Sequence, residues 1–328
     1  MKILVTGGSG FIGSHVVDRL LSHGHEPRIF DLAPSRHHDP GEVDTVIGDL
    51  LDLDALLSAV EGCDAIAHLA ASADVDAVLA NPSRAVLNNG YGTSNVLEAA
   101  RLQGIERVIY ASTVWVYGDT NGNGLVDEDT PLPQPNHVYT ATKLAGEMYC
   151  TAYGELYGFD HTILRFGIPY GPRARPTTVL AALVAKAMAG EPLTIAGDGL
   201  QSRRFIYVED LADGVVAALS PPGAGRVYNL AGVEATSVID IANIVRELVA
   251  DVPVVHGPAR PSDVRGAARM SIRRADDELG WRPSTSFAEG VRRYIAWLTP
   301  TNGSAVAAMA ASTNGNAATV VRHEPSQL

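Results

Sequence analysis

Seven residues near the start of the chain, Gly7-Gly8-Ser9-Gly10-Phe11-Ile12-Gly13, constrain what it can fold into more than any other stretch. They follow an aliphatic, strand-forming run, Lys2–Thr6, and lead into apolar residues at helical spacing over Phe11–Ser22. A strand, a glycine turn and a helix in that order leave backbone N–H groups and the positive end of a helix dipole facing outward over the turn. Glycine permits the tight turn and lets the backbone come close to a pyrophosphate. Gly7, Gly10, Phe11, Ile12 and Gly13 are therefore the expected dinucleotide contacts.

The rest of the first half agrees with that start. Strand signals recur at Pro27–Asp31, Thr45–Ile47, Ala65–Leu69, Val108–Ser112 and Thr162–Phe166, with long helix signals at Ser83–Gln103 and Tyr139–Tyr157. Alternation of this kind predicts an α/β fold, a Rossmann-type doubly wound parallel sheet. After Gly171, prolines and glycines break the chain into shorter elements, with helices expected at Thr178–Ala189, Asp210–Ala218 and Val238–Val249. The expected division is a dinucleotide-binding domain over 1–170, rejoined by 203–222. A smaller mixed α/β substrate-binding domain takes 171–202 and 223–299. Residues 300–328 are rich in Ala, Asn, Ser and Thr and read as a flexible tail.

Asp31 closes the second strand, where a carboxylate bonds the ribose hydroxyls of NAD and repels the extra phosphate of NADP. The cofactor expected is NAD. Arg36, in the following loop, reads as a solvated arginine. Asp49 and Leu50 follow the third strand, where the adenine would lie. Leu69, Ala70 and Ala71 put small or apolar groups where the backbone must approach the cofactor, and Ser112 ends the fifth strand beside it. Tyr139 and Lys143 stand four apart on a helix and share a face. A free tyrosine is a poor base at neutral pH, but a neighbouring ammonium and a cationic nicotinamide ring favour the phenolate. Thr113 ends the fifth strand, placing a hydroxyl where it can hold a reacting substrate oxygen. Thr113, Tyr139 and Lys143 are the expected catalytic set.

Composition narrows the partners. Net charge is −12 and no basic stripe is visible, which argues against nucleic acid. No apolar stretch approaches the roughly 20 residues needed to span a bilayer, and no signal peptide is evident. With only Cys63 and Cys150 and no disulfide framework, a cytoplasmic protein is expected. No metal site is expected. His37-His38 reads as solvated loop, and the calcium-loop-like run from Asp119 has Thr130 where a bidentate glutamate is needed.

Gly7–Gly13, Ser112-Thr113-Val114-Trp115-Val116-Tyr117-Gly118, Tyr139-Thr140-Ala141-Thr142-Lys143 and Arg203-Arg204-Phe205-Ile206-Tyr207-Val208-Glu209-Asp210 together resemble the extended short-chain dehydrogenase/reductase family. The likeness covers about residues 1–298 and is nearest to its NAD-dependent nucleotide-sugar epimerases and dehydratases. It implies a Ser/Thr-Tyr-Lys catalytic set, a nucleotide-sugar substrate between two domains and a homodimer built on a four-helix bundle. It also implies substrate contacts from Asn89, Thr113, Arg203 and Arg260. Dehydratases of the family carry an Asp-Glu pair after the threonine, and decarboxylases usually a glutamate at the second position. Val114 and Trp115 stand there and cannot transfer protons. The expectation is an NAD-dependent 4-epimerase acting on a UDP-sugar through a 4-keto intermediate. Alternatives are a C5 epimerase, dehydratase, decarboxylase or reductase of nucleotide sugars and, more distantly, a non-catalytic NAD sensor. Ile168 and Ala73 depart from the pattern, replacing an asparagine at the diphosphate and a lysine at a sugar hydroxyl.

Overall fold

The computed structural model describes residues 1–118, 124–259 and 269–299. Arg260, the loop at 119–123 and the 300–328 segment lie outside the described residues. The first half of the chain runs β1 (Lys2–Thr6), α1 (Phe11–Ser22), β2 (Glu26–Asp31), β3 (Asp44–Ile47), α2 (Leu53–Val60), β4 (Ala65–His68), α3 (Val75–Ala80), α4 (Pro82–Val86), α5 (Gly92–Gln103), β5 (Arg107–Thr113), β6 (Leu125–Val126), α6 (Val138–Tyr157) and β7 (Asp160–Phe166). The second half runs β8 (Ile168–Tyr170), α7 (Val179–Met188), β9 (Leu193–Ala196), β10 (Ser202–Arg203), β11 (Phe205–Tyr207), α8 (Val208–Ala217), β12 (Arg226–Leu230), β13 (Thr236–Ser237), α9 (Val238–Leu248), β14 (Val254–Gly257), β15 (Arg269–Met270), α10 (Arg273–Leu279) and α11 (Phe287–Leu298).

Seven of these strands form one parallel sheet in the order β12-β7-β5-β4-β1-β2-β3. From β1 the chain winds outward to β3, then returns to β4 and winds the other way. That reversal opens a crevice at the carboxyl ends of β1 and β4. The strands read as continuous apolar runs because both faces are covered. Ile3, Val5, Ile29, Ala65, Ile109 and Leu164 face α1 and α8, packing on Val16, Val17, Leu20, Leu211 and Val215. Their neighbours Leu4, Phe30, Ile66, Val108 and Tyr110 face α2 and α5, against Leu56, Val60, Val96 and Leu97. Each fully buried Val, Leu, Ile or Phe among them contributes about 1.5–3 kcal/mol. A third core, with Leu180, Val184, Ile241, Val245, Val291 and Tyr294, holds α7, α9 and α11 together in the second lobe.

One sequence expectation is refined and one corrected. The helix expected over Ser83–Gln103 runs without a break, as α4, a wider π-helical turn over Leu87–Tyr91 and then α5. The turn falls on Asn88-Asn89-Gly90, poor helix formers, and it lets Asn89 reach Ser72. Residues 226–230, assigned to the second lobe, instead form β12 at the edge of the main sheet, with Tyr228 opposite Leu164. Ala275 of α10 and Trp281 pack into the same core. The stretch Arg226-Val227-Tyr228-Asn229-Leu230 carries no clear strand signal in sequence, and its pairing with β7 shows where it belongs.

Candidate active site

A cleft of about 680 Å³ follows the crevice from the glycine turn to Tyr139. Gly7, Gly10, Phe11, Ile12 and Gly13 line one end of it. The turn admits no larger residue at its tightest point: a Cβ on Gly13 would lie 2.1 Å from the Gly7 carbonyl oxygen, and Gly7 has φ +72°. Helix α1 begins at Gly10 without a side-chain cap and with no acidic residue in its first turn. α2, α3, α7, α9 and α11 all begin with an oxygen side chain accepting a backbone N–H. With no acidic residue in its first turn, the start of α1 lines the cleft and can take an anion.

Asp31 lines the cleft and is held in place by the Ser9 and Leu32 N–H groups, which donate to its two carboxylate oxygens at 3.0 and 2.7 Å. Asp49, Leu50, Leu69, Ala70 and Ala71 continue the same wall. Arg36 is exposed. A glycine cradle, an uncapped helix start and a fixed carboxylate fit a dinucleotide.

At the other end the lining includes Ser112, Thr113, Trp115 and Tyr139. Thr113 ends β5, and its Oγ1 accepts the Trp115 N–H at 3.3 Å. Tyr139 lies in the first turn of α6, capped by His137 Nδ1. Burial pushes its phenol up to about 12; the nearby Arg175 guanidinium and the Thr113 hydroxyl pull the other way. Trp115 meets the Tyr139 ring edge-on, with centroids 6.1 Å apart. α6 lies close on β5 because Gly146 has no side chain: a Cβ there would be 2.0 Å from the Tyr110 hydroxyl.

Lys143 is buried beneath this surface and does not itself line the cleft. Its Nζ donates to the Ala111 carbonyl at 2.8 Å and lies 5.0 Å from the centre of the Tyr110 ring. Burial pulls it down to about 8, opposed by Cys150 and Glu147. Besides the expected Lys143, the guanidinium of Arg175 favours the phenolate. Asn89 is also buried, and its side chain is fully used. Oδ1 accepts the Ser72 N–H at 2.7 Å, and Nδ2 donates to the Ser72 carbonyl and Thr142 Oγ1. The neighbouring Asn88 lines the cleft instead. Arg203 lies on β10, paired with β13, and is not among the lining residues.

Sequence reasoning did not single out a buried polar network behind Ser112. Glu147, one turn after Lys143, accepts from the Ser112 hydroxyl and is bound on both oxygens by Arg165, at 3.1 and 2.8 Å. Arg165 also donates to the Tyr117 hydroxyl at 2.9 Å, which donates to Asn229 Oδ1 on β12 at 2.8 Å. Burial works against the charge of Arg165, and the carboxylate of Glu147 more than offsets it, leaving the guanidinium firmly protonated. The helical spacing Lys143–Glu147 was the available signal. Arg175, Ile168 and Thr178 also line the cleft. Among the described residues, no three His, Cys, Asp or Glu side chains converge as metal ligands.

Residues 3–231 match the model of the NAD dependent epimerase/dehydratase family. A UDP-glucose 4-epimerase of Mycolicibacterium smegmatis is 35% identical over 91% of this chain and 98% of its own length. The crystal structure of a Thermus thermophilus UDP-glucose 4-epimerase in complex with NAD superposes with a TM-score of 0.83 at 33% identity, covering 90% of this chain and 98% of that one. The structure of MoeE5 with UDP-glucuronic acid and NAD gives 0.83 at 32% identity, with the same coverage. With the family's glycine turn, strand-end threonine and Tyr/Lys helix in one crevice, this chain belongs to the NAD-dependent epimerase/dehydratase family.

Proposed function

We propose that the protein is an NAD-dependent 4-epimerase of UDP-sugars. The observation that supports this best is the reacting end of the cleft. Thr113 and Tyr139 line it, but the residues after Thr113 offer no acid or base: Val114 packs with Val116, Tyr117 and Val126, and Trp115 presents an indole ring. Such a site can take a proton from a sugar hydroxyl and return it. Among the described residues, Val114 and Trp115 give it no proton-transfer pair with which to eliminate water from the neighbouring carbons.

NAD, when bound, supplies the hydride acceptor and donor. Tyr139, as phenolate, takes the C4 hydroxyl proton while Thr113 holds the oxygen. With hydride acceptance and return at C4 left to NAD, Tyr139 would hold the proton while C4 is a carbonyl and give it back to the oxygen when hydride returns to the opposite face of C4, so the epimer forms with no net redox change. Lys143 and the Glu147–Arg165 pair fix α6 against β5 so that Tyr139 and Thr113 stay together. Incubation with UDP-glucose, UDP-galactose and UDP-glucuronate, followed by separation of products, should yield C4 epimers without accumulation of NADH. A 4-keto-6-deoxy sugar, or release of carbon dioxide from the uronate, would overturn this reading.

The same reading includes a homodimer and a cytoplasmic location. Leu87, Tyr91 and Leu102 on the α5 side and Tyr149 and Leu156 on α6 are exposed large apolar residues at helical spacings. Arg101 lies over the Tyr157 ring at 5.2 Å, joining the ends of the two helices. A second copy covering this face would bury it. Sedimentation velocity should give a dimer mass; a monomer at all concentrations sinks this part. Both cysteines are free and buried, and no helix among the described residues is long and apolar enough to cross a membrane.

A further inference from the structure

α6 carries Tyr139 as its second residue, so the backbone at the start of this helix sets where the phenol stands. The first N–H groups of a helix have no partner within it. Here the Tyr139 N–H donates at 3.1 Å to Nδ1 of His137, the residue before the helix. α2, α3, α4, α7, α9 and α11 take the equivalent bond on an oxygen of Asp, Asn, Thr or Ser. An imidazole nitrogen differs from such an oxygen because it accepts only while unprotonated. Imidazole is also the side chain that ordinarily changes charge between about pH 5 and 8.

With Nδ1 accepting, Nε2 carries the proton, and Nε2 is buried without a hydrogen-bond partner among the described residues. A second proton, on Nδ1, would set one N–H against another at the positive end of the helix and break the bond. The ring also meets Trp115 edge-on, with centroids 6.2 Å apart, and Trp115 meets Tyr139 in the same way at 6.1 Å. The Trp115 N–H in turn donates to Thr113 Oγ1. His137 is thus joined to Tyr139 by the backbone bond and by a shared indole, and to Thr113 through the same residue. It is not among the residues lining the cleft.

Resting on Tyr139 as the proton acceptor, we infer that His137 is a positioning residue for it: the neutral ring holds the first turn of α6 in place, and protonation of the ring releases that turn and slows turnover on the acid side. The ring packs on its own helix and on the turn over Val114–Tyr117. The titratable groups there are the Tyr139 and Tyr117 phenols, each pushed up to about 12 by burial, and Lys143, one turn on, pulled down to about 8 by burial. None of these three changes its predominant charge between pH 5 and 7. α3, packed on α6, brings Asp76 and Asp74, the latter held by Arg175.

The first test follows kcat of the purified full chain, with NAD and either UDP-glucose or UDP-glucuronate, between pH 5.5 and 7.5. The buried phenol alone lowers kcat about tenfold per pH unit. His137 should add a further loss of about fivefold or more across that range in wild type, the equivalent of a lost helix cap. His137→Ala should lose about fivefold at pH 7.5 for the same reason. His137→Asn, which supplies a cap oxygen that does not titrate, should restore most of that loss and lack the extra fall in acid. The second test needs no turnover. Protection of the peptide spanning 137–145 against hydrogen exchange, corrected for the intrinsic effect of pH, should fall about fivefold from pH 7.5 to 5.5 in wild type and stay level in His137→Asn. A wild-type kcat that falls only about tenfold per unit, or a His137→Asn that keeps the extra fall, overturns the inference and leaves Tyr139 as the proton acceptor. Equal protection in the two proteins at pH 5.5 overturns it whichever sugar is turned over. Near-normal turnover by Tyr139→Phe overturns both the inference and the reading beneath it.

Discussion

Tyr139→Phe should lower turnover of a UDP-sugar by about a hundredfold or more, the usual scale for removing a group that transfers a proton, while NAD remains bound. The ring stays and so does its edge-on contact with Trp115; only the hydroxyl is lost. The cofactor end of the cleft, from Gly7 to Asp31, is untouched. Rates with UDP-glucose and UDP-glucuronate, together with NAD retained after gel filtration, check both halves. Near-normal turnover would rule out Tyr139 as the proton acceptor. The same phenol sets the pH dependence of the wild type. Burial holds it at about 12, above an ordinary tyrosine, so the phenolate fraction is small at neutral pH and increases as pH rises toward that value. Turnover of the wild type should climb from about pH 6 to about pH 9, a window below that value, and the residual rate of Tyr139→Phe should lose that slope. A flat wild-type profile over that range would contradict this origin.

Glu147→Gln should have the largest effect on stability. Glu147 and Arg165 are 5% and 4% exposed and joined through both carboxylate oxygens. Removing one charge strands the other in the interior, which costs about 3–5 kcal/mol. For a protein of this size the melting temperature should fall on the order of 10 °C. The double variant Glu147→Met/Arg165→Met, which removes both charges and keeps the volume filled, should recover most of that loss. A melting temperature indistinguishable from wild type for Glu147→Gln would show that the pair does not hold β5, α6 and β7 together. Because Ser112 donates to Glu147 and adjoins Thr113, Glu147→Gln should also slow turnover more than it weakens NAD.

Much of this is legible in the sequence alone. β1, β4 and β5 announce themselves as apolar runs because a parallel sheet buries both faces, and Gly7–Gly13 specifies the turn because nothing larger fits beside the Gly7 carbonyl. Tyr139 and Lys143 share a helix face, as their spacing requires. What the spacing could not show is that the Lys143 ammonium turns toward the Ala111 carbonyl at the end of β5. That depends on Gly146 letting the helix settle on Tyr110, a contact between distant segments. Arg175 was invisible for the same reason: it sits in an irregular loop, and its nearness to Tyr139 follows from how β8 and α7 are placed. Asn89 and Asn88 are indistinguishable in sequence. Both bond Ser72, Asn88 at its hydroxyl and Asn89 at its backbone, and the wide turn over Leu87–Tyr91 decides which of them is buried and which lines the cleft. Glu147, one helical turn beyond Lys143, could have been found by extending the same periodicity.

The return of the chain to β12 determines how this molecule can be taken apart. A fragment ending at residue 170 looks like a complete nucleotide-binding half, yet it would lack the strand that covers β7. Seven residues of β7, from Asp160 to Phe166, would then form a bare sheet edge, and Leu164 and Phe166 would lose the packing of Tyr228, Leu230 and Trp281. A long, flat, apolar edge is a template for joining sheets between molecules. Lobe exchanges between relatives must therefore carry residues 203–231 and 272–281 with the first lobe, and the graft must be made at five junctions in the chain rather than one.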